Sequence, residues 1–157
     1  MTLIAFAEWL QHSGAVAALR GAPPVAVLLI QIVHVLGLIL LLTALLLVNL
    51  RLLGWALRGL PLQQVVRATR KGLWLGLALA MGSGSLLFLS APVHYSSNAA
   101  FVPKMALLLV ALAVQASLYR RVTAQDAPTP LLARSTAVIS LSLWFSVGLA
   151  GRAIGFV

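Results

Sequence analysis

Long apolar segments separated by short polar ones run through most of the chain. The clearest is Pro24–Leu50, which contains no Asp, Glu, Lys or Arg. A helix rises about 1.5 Å per residue, so this segment is long enough to cross a hydrocarbon core of roughly 30 Å. Three later segments, at about 72–91, 101–119 and 131–154, are also long and apolar. The pattern predicts an all-α fold, a bundle of four transmembrane helices.

A shorter and more mixed segment precedes the first predicted span. Residues 2–19 carry apolar side chains at helical spacing, with three polar residues among them. The apolar residues are Leu3, Phe6, Trp9 and Leu10, and the polar ones are Glu8, Gln11 and His12. This pattern is typical of an amphipathic helix that lies in the membrane interface. We therefore predict one integral membrane domain over residues 1–157, in which an interfacial helix precedes the bundle.

Composition supports a membrane location and argues against nucleic acid as a partner. The 157 residues are 62% hydrophobic and only 8% charged, whereas soluble domains carry about 25% charged residues. The formal net charge of +9 is spread over the ends of the predicted helices and does not form one aromatic-rich basic surface. The lipid bilayer is therefore the expected partner. The chain has no cysteine, which excludes disulfides and thiolate metal sites.

Basic residues are distributed unequally between the two ends of the predicted bundle. The end that carries both chain termini has three, and the opposite end has eight. The three are Arg20, Lys104 and Arg152, and the eight are Arg51, Arg58, Arg67, Arg70, Lys71, Arg120, Arg121 and Arg134. Basic loops are retained in the cytoplasm. We expect a multi-pass protein of the cell inner membrane with both termini outside, on the periplasmic side.

Small residues recur at every fourth position in the second predicted span. This stripe consists of Gly72, Gly76, Ala80 and Gly84. Such a stripe allows close approach of a neighbouring helix in lipid. A flat macrocycle lying against Gly76 is the alternative interpretation. In the last span, Ser135, Thr136, Ser140, Ser142 and Ser146 are expected to bond to their own carbonyls or to a neighbouring helix.

His34 is the one ionisable residue inside the first predicted span, and Gln31 lies one turn before it. A titratable side chain at membrane depth suggests a functional site. One interpretation is a b-type haem with His34 as an axial ligand, in an electron-transfer protein or subunit. The second ligand would be His94, His12 or Met105, or the sixth position would be open. Lys104 and Arg152 lie near the same face, either as an anion-holding pair or extended to the headgroups.

Two other interpretations of His34 stay open at this stage. A copper or other metal site at the outer face would use His12, His34 and His94 as imidazole donors. Alternatively, His34 bonds to a serine or a carbonyl of a neighbouring helix and only stabilises the bundle. The protein would then be a non-catalytic accessory subunit of a larger membrane complex or a homo-oligomer.

Hydrolytic catalysis is not expected. The only carboxylate side chains are Glu8 and Asp126, which the predicted topology places on opposite sides of the membrane. No phosphate-binding glycine loop or nucleophile motif is present. We therefore do not expect an enzyme.

Five short motifs, in order, resemble a family of small bacterial four-helix membrane proteins classified as a domain of unknown function. They are Glu8-Trp9-Leu10, His34-Val35-Leu36-Gly37, Leu50-Arg51-Leu52-Leu53-Gly54, Phe101 with Lys104, and Ala150-Gly151-Arg152. The resemblance covers nearly the whole chain and implies the fold and topology but no activity. It suggests His34, Arg51, Lys104 and Arg152 as candidate functional residues, and it does not include His12 or His94. The helix layout is also similar to membrane domains of copper-resistance proteins and to b-type cytochromes.

Overall fold

The computed structural model describes residues 3–156, apart from the side chain of Ala15. Four helices are long and apolar enough to cross a membrane, which confirms the predicted all-α bundle. They are α3 (Pro24–Leu53), α4 (Leu62–Ser90), a third span that extends from Phe101 to Thr123, and α8 (Pro130–Ala153). Short helices precede and connect them: α1 (Leu3–Gln11), α2 (Gly14–Arg20) and α5 (Pro92–Ser97). The third span comprises α6 (Phe101–Val114), a π turn (Gln115–Tyr119) and α7 (Arg120–Thr123).

The N-terminal segment forms two helices, where one was predicted over residues 2–19. Residue 2 lies outside the described part of the chain. The break falls at Ser13, whose hydroxyl accepts a hydrogen bond from the Val16 amide and so caps α2. Helix α1 packs on α5 and α2 packs on α4, with Ala7 and Val16 fully buried. Phe6 and Trp9 stack on each other and remain exposed, as expected for side chains in the membrane interface.

Helix α4 starts ten residues before the predicted span at Gly72. Leu62 and Val65 join the apolar core, and the Gln63 side chain donates to the Thr123 carbonyl at 2.7 Å. Burial and this bond extend the helix back through the basic segment that precedes the predicted span. Gly54 ends α3 in the left-handed conformation, with φ of 72°, which glycine adopts without strain.

Two other boundaries differ from the prediction. The segment 92–100, which lies between two of the predicted spans, contains α5, which starts at Pro92. Proline suits this first helical position because its fixed φ is helical and its missing N–H has no intrahelical partner there. The third span continues past Tyr119 to Thr123 because a π turn carries the helix through Gln115–Tyr119.

Helices α3 and α4 approach each other closely at Gly37 and Gly76. A Cβ at Gly76 would lie 2.5 Å from the Leu41 amide nitrogen, and one at Gly37 would lie 2.7 Å from the Ala80 nitrogen. No side chain fits between these backbones. The predicted stripe of small residues therefore packs against a helix.

The core lies where α3, the third span and α8 meet. Leu41, Leu45 and Val48 of α3 pack there with Tyr119 and Trp144. Many other large apolar side chains of the four spans are exposed on the outside of the bundle. Apolar side chains on the outer surface of the bundle are typical of helices that are surrounded by lipid.

We expect Gly76→Ala to destabilise the bundle by about 1–3 kcal/mol, because the added methyl would push α3 away from α4. Gly82→Ala, in the same helix, is the matched control, since a Cβ at Gly82 has no atom within 4 Å. Reversible unfolding in mixed micelles with increasing SDS would measure both free energies. Equal stability of the two variants would contradict the close approach.

Candidate functional site

His34 hydrogen-bonds across the interface between α3 and α4. Its Nδ1 lies 3.0 Å from the hydroxyl oxygen of buried Ser83. Gly84 makes room for the ring, because a Cβ there would lie 3.1 Å from His34 Cε1. His34 reaches this place because it lies one turn before Gly37, where the two helices approach closely. The small residues of α4 therefore leave the space in which the His34 ring packs.

The contacts of the ring with α4 indicate which nitrogen carries the proton. Ser83 donates its hydroxyl hydrogen to the Leu79 carbonyl, so it accepts from the imidazole. That bond assigns the proton to Nδ1 and leaves a lone pair on Nε2, to which no described residue donates. A ring held in this way has the arrangement that metal-ligating histidines use.

Lys104, in the first turn of α6, lies close enough to His34 for their charges to interact. Its side chain is partly buried against α8, where a Cβ at Gly151 would lie 3.5 Å from Nζ. Among the described residues, none forms a hydrogen bond or an ion pair with this ammonium. Glu8 and Asp126, the only carboxylate residues, lie outside the four spans. The charge therefore favours an anionic or electron-rich ligand.

Arg152 lies in the last turn of α8 and is exposed. Its guanidinium carbon is 4.4 Å from the centre of the Phe156 ring, a cation–π contact that stabilises the charge at this end of the helix. Arg51 lies at the opposite end of the bundle, where its Nε donates to the Leu60 carbonyl at 2.8 Å. Of the four residues suggested by the motifs, Arg51 thus ties the last turn of α3 to the α3–α4 connection and lies away from His34.

The remaining predicted site residues do not surround the imidazole of His34. Gln31 is exposed on α3, and Gly76 is covered by the backbone of α3, so no planar ring can lie on that glycine. His94 is exposed on α5, with its ring edge-on to Tyr95, and His12 is exposed after α1. Within residues 3–156, no three His, Asp or Glu side chains are grouped so that they could hold a metal ion.

A second polar contact lies deeper, toward the end of the bundle that carries eight basic residues. Asn49 of α3 is fully buried and donates from Nδ2 to Ser140 Oγ of α8 at 3.1 Å. Asn49 Oδ1 and Thr136 Oγ1 are buried without a partner in the described structure. Asn49 is not among the predicted site residues. The available signal was an amide inside the apolar segment, four residues before the actual helix end.

The fold and these two polar contacts define the class: an integral membrane helical bundle with polar groups, but no carboxylate, inside its spans. The chain belongs to the family of unknown function DUF6644, whose model matches residues 6–157. This match confirms the resemblance to an uncharacterised family. No curated protein and no solved structure matches the chain.

His34 and Ser83 should be energetically coupled. In a double-mutant cycle with His34→Ala and Ser83→Ala, we expect a coupling free energy of about 0.6 kcal/mol and at most about 1.7, the range for hydrogen bonds between membrane helices. Unfolding in SDS-containing micelles would measure it. The control cycle pairs His34→Ala with Ser85→Ala, since Ser85 is exposed and bonds to the Met81 carbonyl. Additive effects in both cycles would contradict the bond.

Proposed function

We propose that the protein binds haem b in the membrane with Nε2 of His34 as an axial ligand and takes part in electron transfer. The observation that carries the proposal is the orientation of the imidazole. Ser83 accepts from Nδ1, which leaves the Nε2 lone pair free of any described partner. When one ring nitrogen of a histidine ligates a metal, a hydrogen bond donated by the other nitrogen fixes the tautomer and raises the basicity of the ligand. Haem would supply a one-electron couple at this place.

The charges around His34 support the same ligand. Haem b carries two propionates, and a membrane-embedded carboxylate needs a cationic partner. Lys104 is partly buried near His34 and has no described anionic partner, and Arg152 lies at the same end of the bundle. Because no span contains an acidic residue, these cations are not neutralised from within the bundle. The donor set therefore fits an anionic macrocycle.

The placement of the other histidines favours a single histidine ligand. His94 lies on α5 and His12 follows α1, both outside the four spans and both exposed. His34 lies ten residues into α3, about 15 Å from its first residue. No second histidine lies within a described span. We therefore propose one histidine ligand and a sixth coordination position that the other histidines do not occupy.

The direct test is the visible spectrum of protein purified from cells that make haem. We expect a Soret band in the natural protein and its loss in His34→Gly, with recovery when imidazole is added to fill the space left by the side chain. Ser83→Ala should retain the band with haem affinity lowered about 10- to 100-fold, the usual effect of removing a partner of a ligating histidine.

His94→Ala and His12→Ala are the matched controls. Both variants should keep the haem of the natural protein, measured as haem per protein after extraction into pyridine. Loss in either would identify a second ligand and contradict the single-histidine arrangement. A colourless natural protein from such cells would refute the haem proposal as a whole.

A second candidate function is supported by the same hydrogen bond. The contact between His34 and Ser83 joins α3 to α4 and by itself accounts for a histidine at this depth. In that case the chain is an accessory subunit of a larger membrane complex, or a homo-oligomer, that binds no cofactor. Native gels after extraction in mild detergent would then show a larger species than the single chain. A colourless protein that migrates as a monomer would contradict this candidate.

We further propose that the protein lies in the inner membrane of a bacterial cell with both termini outside. The support is the distribution of basic residues, three at one end and eight at the other. Because the chain has no cysteine, single-cysteine variants can be labelled in intact cells with a membrane-impermeant maleimide. Ser97→Cys on α5 should react at once, and Gly59→Cys in the α3–α4 connection only after permeabilisation. The reverse pattern would contradict the orientation.

A further inference from the structure

A polar cleft lies at the end of the bundle opposite His34. It has a volume of about 580 Å³ and lies between the connection that follows α3 and the first turns of α8. Its lining consists of Leu53, Gly54, Trp55, Arg58, Arg134 and Val138. None of these residues takes part in the proposed haem site, so the cleft is a separate candidate binding site.

The cleft brings together two guanidinium groups from separate parts of the chain. Arg58 donates from Nε to the Gly54 carbonyl, which orients its side chain beside the end of α3. Arg134 lies in the first turns of α8, near the positive end of the helix dipole. No described carboxylate pairs with either arginine. Two arginines without a counter-ion have the charge and the hydrogen-bond donors that suit a phosphate group.

The apolar part of the lining continues from these charges toward the middle of the bundle. Val138 lies one turn beyond Arg134 on the same face of α8, and its side chain is 54% exposed. Trp55 is 73% exposed beside Arg58. Indole rings prefer the level of the lipid headgroups. The order along the bundle is therefore cationic at the end and apolar toward the membrane centre, which matches a headgroup followed by an acyl chain.

We propose that this cleft binds an anionic phospholipid, with its phosphate between Arg58 and Arg134 and an acyl chain along Val138. Basic pockets between membrane helices bind such headgroups. Neither the orientation of the protein nor the haem site is needed for the proposal. A free phosphate would use only the two arginines, whereas the lipid also uses the surface of Trp55 and Val138.

The test is native mass spectrometry of the purified protein with added phosphatidylglycerol, cardiolipin or phosphatidylcholine. We expect bound phosphatidylglycerol or cardiolipin but not phosphatidylcholine. In the variant Arg58→Gln/Arg134→Gln the apparent affinity should fall about tenfold, since each basic contact near the surface contributes to anionic lipid binding. The matched control is Arg67→Gln/Arg70→Gln, which removes the same charge from exposed positions of α4 outside the cleft. It should lose less than about twofold of the affinity.

Three outcomes would overturn the proposal. Equal losses in the two double variants would mean general attraction to the basic end of the bundle. Displacement of the lipid by millimolar inorganic phosphate, together with no effect of Trp55→Ala, would assign the site to free phosphate. Equal binding of phosphatidylcholine would remove the charge preference. If the double variant does not fold, the single variant Arg134→Gln is compared with the single control Arg67→Gln. The Arg134 side chain makes no described hydrogen bond, so its replacement should not disturb the fold.

Discussion

The contact between the backbones of α3 and α4 at Gly37 and Gly76 is the constraint on which the half of the bundle around His34 depends. A Cβ at either glycine would lie within 3 Å of the opposite main chain. In lipid there is no hydrophobic drive between helices, so close packing of this kind supplies much of the association free energy. The same approach sets His34 one turn away against Ser83 and Gly84. The helix contact and the candidate site therefore depend on each other.

Polar groups inside the spans occur at two depths. At one depth, Nδ1 of His34 is hydrogen-bonded to Ser83 and Nε2 has no described partner, with the cation of Lys104 nearby. At the other depth, Asn49 and Ser140 bond to each other and tie α3 to α8, while Asn49 Oδ1 and Thr136 Oγ1 are buried without a described partner. An unpaired polar group is costly in an apolar medium. Both depths therefore combine a hydrogen bond between two helices with polar atoms that the described structure leaves unsatisfied.

The candidate site could be anticipated in part. A lone histidine in an apolar segment and a four-residue stripe of small residues both appear in the sequence. That Ser83 is the partner could not be read from it, because several serines in two spans were equally available. Lys104 beside Gly151 also depends on how the third span lies against α8. Likewise the start of α4 at Leu62 is decided by burial and by the bond of Gln63 to Thr123, not by local hydropathy.

By itself, the sequence determined that the chain forms four membrane-spanning helices, because hydropathy and length act locally along each segment and lipid leaves few alternatives to a helix. Charge counting along the chain likewise predicted one orientation. Only the tertiary structure decided which helix faces pack together and hence which side chains are in contact. Contacts such as His34 with Ser83, 49 residues apart, result from the rotation and crossing of whole helices. The cleft at Arg58 and Arg134 arises in the same way, since its two arginines come from segments that approach only when the bundle closes.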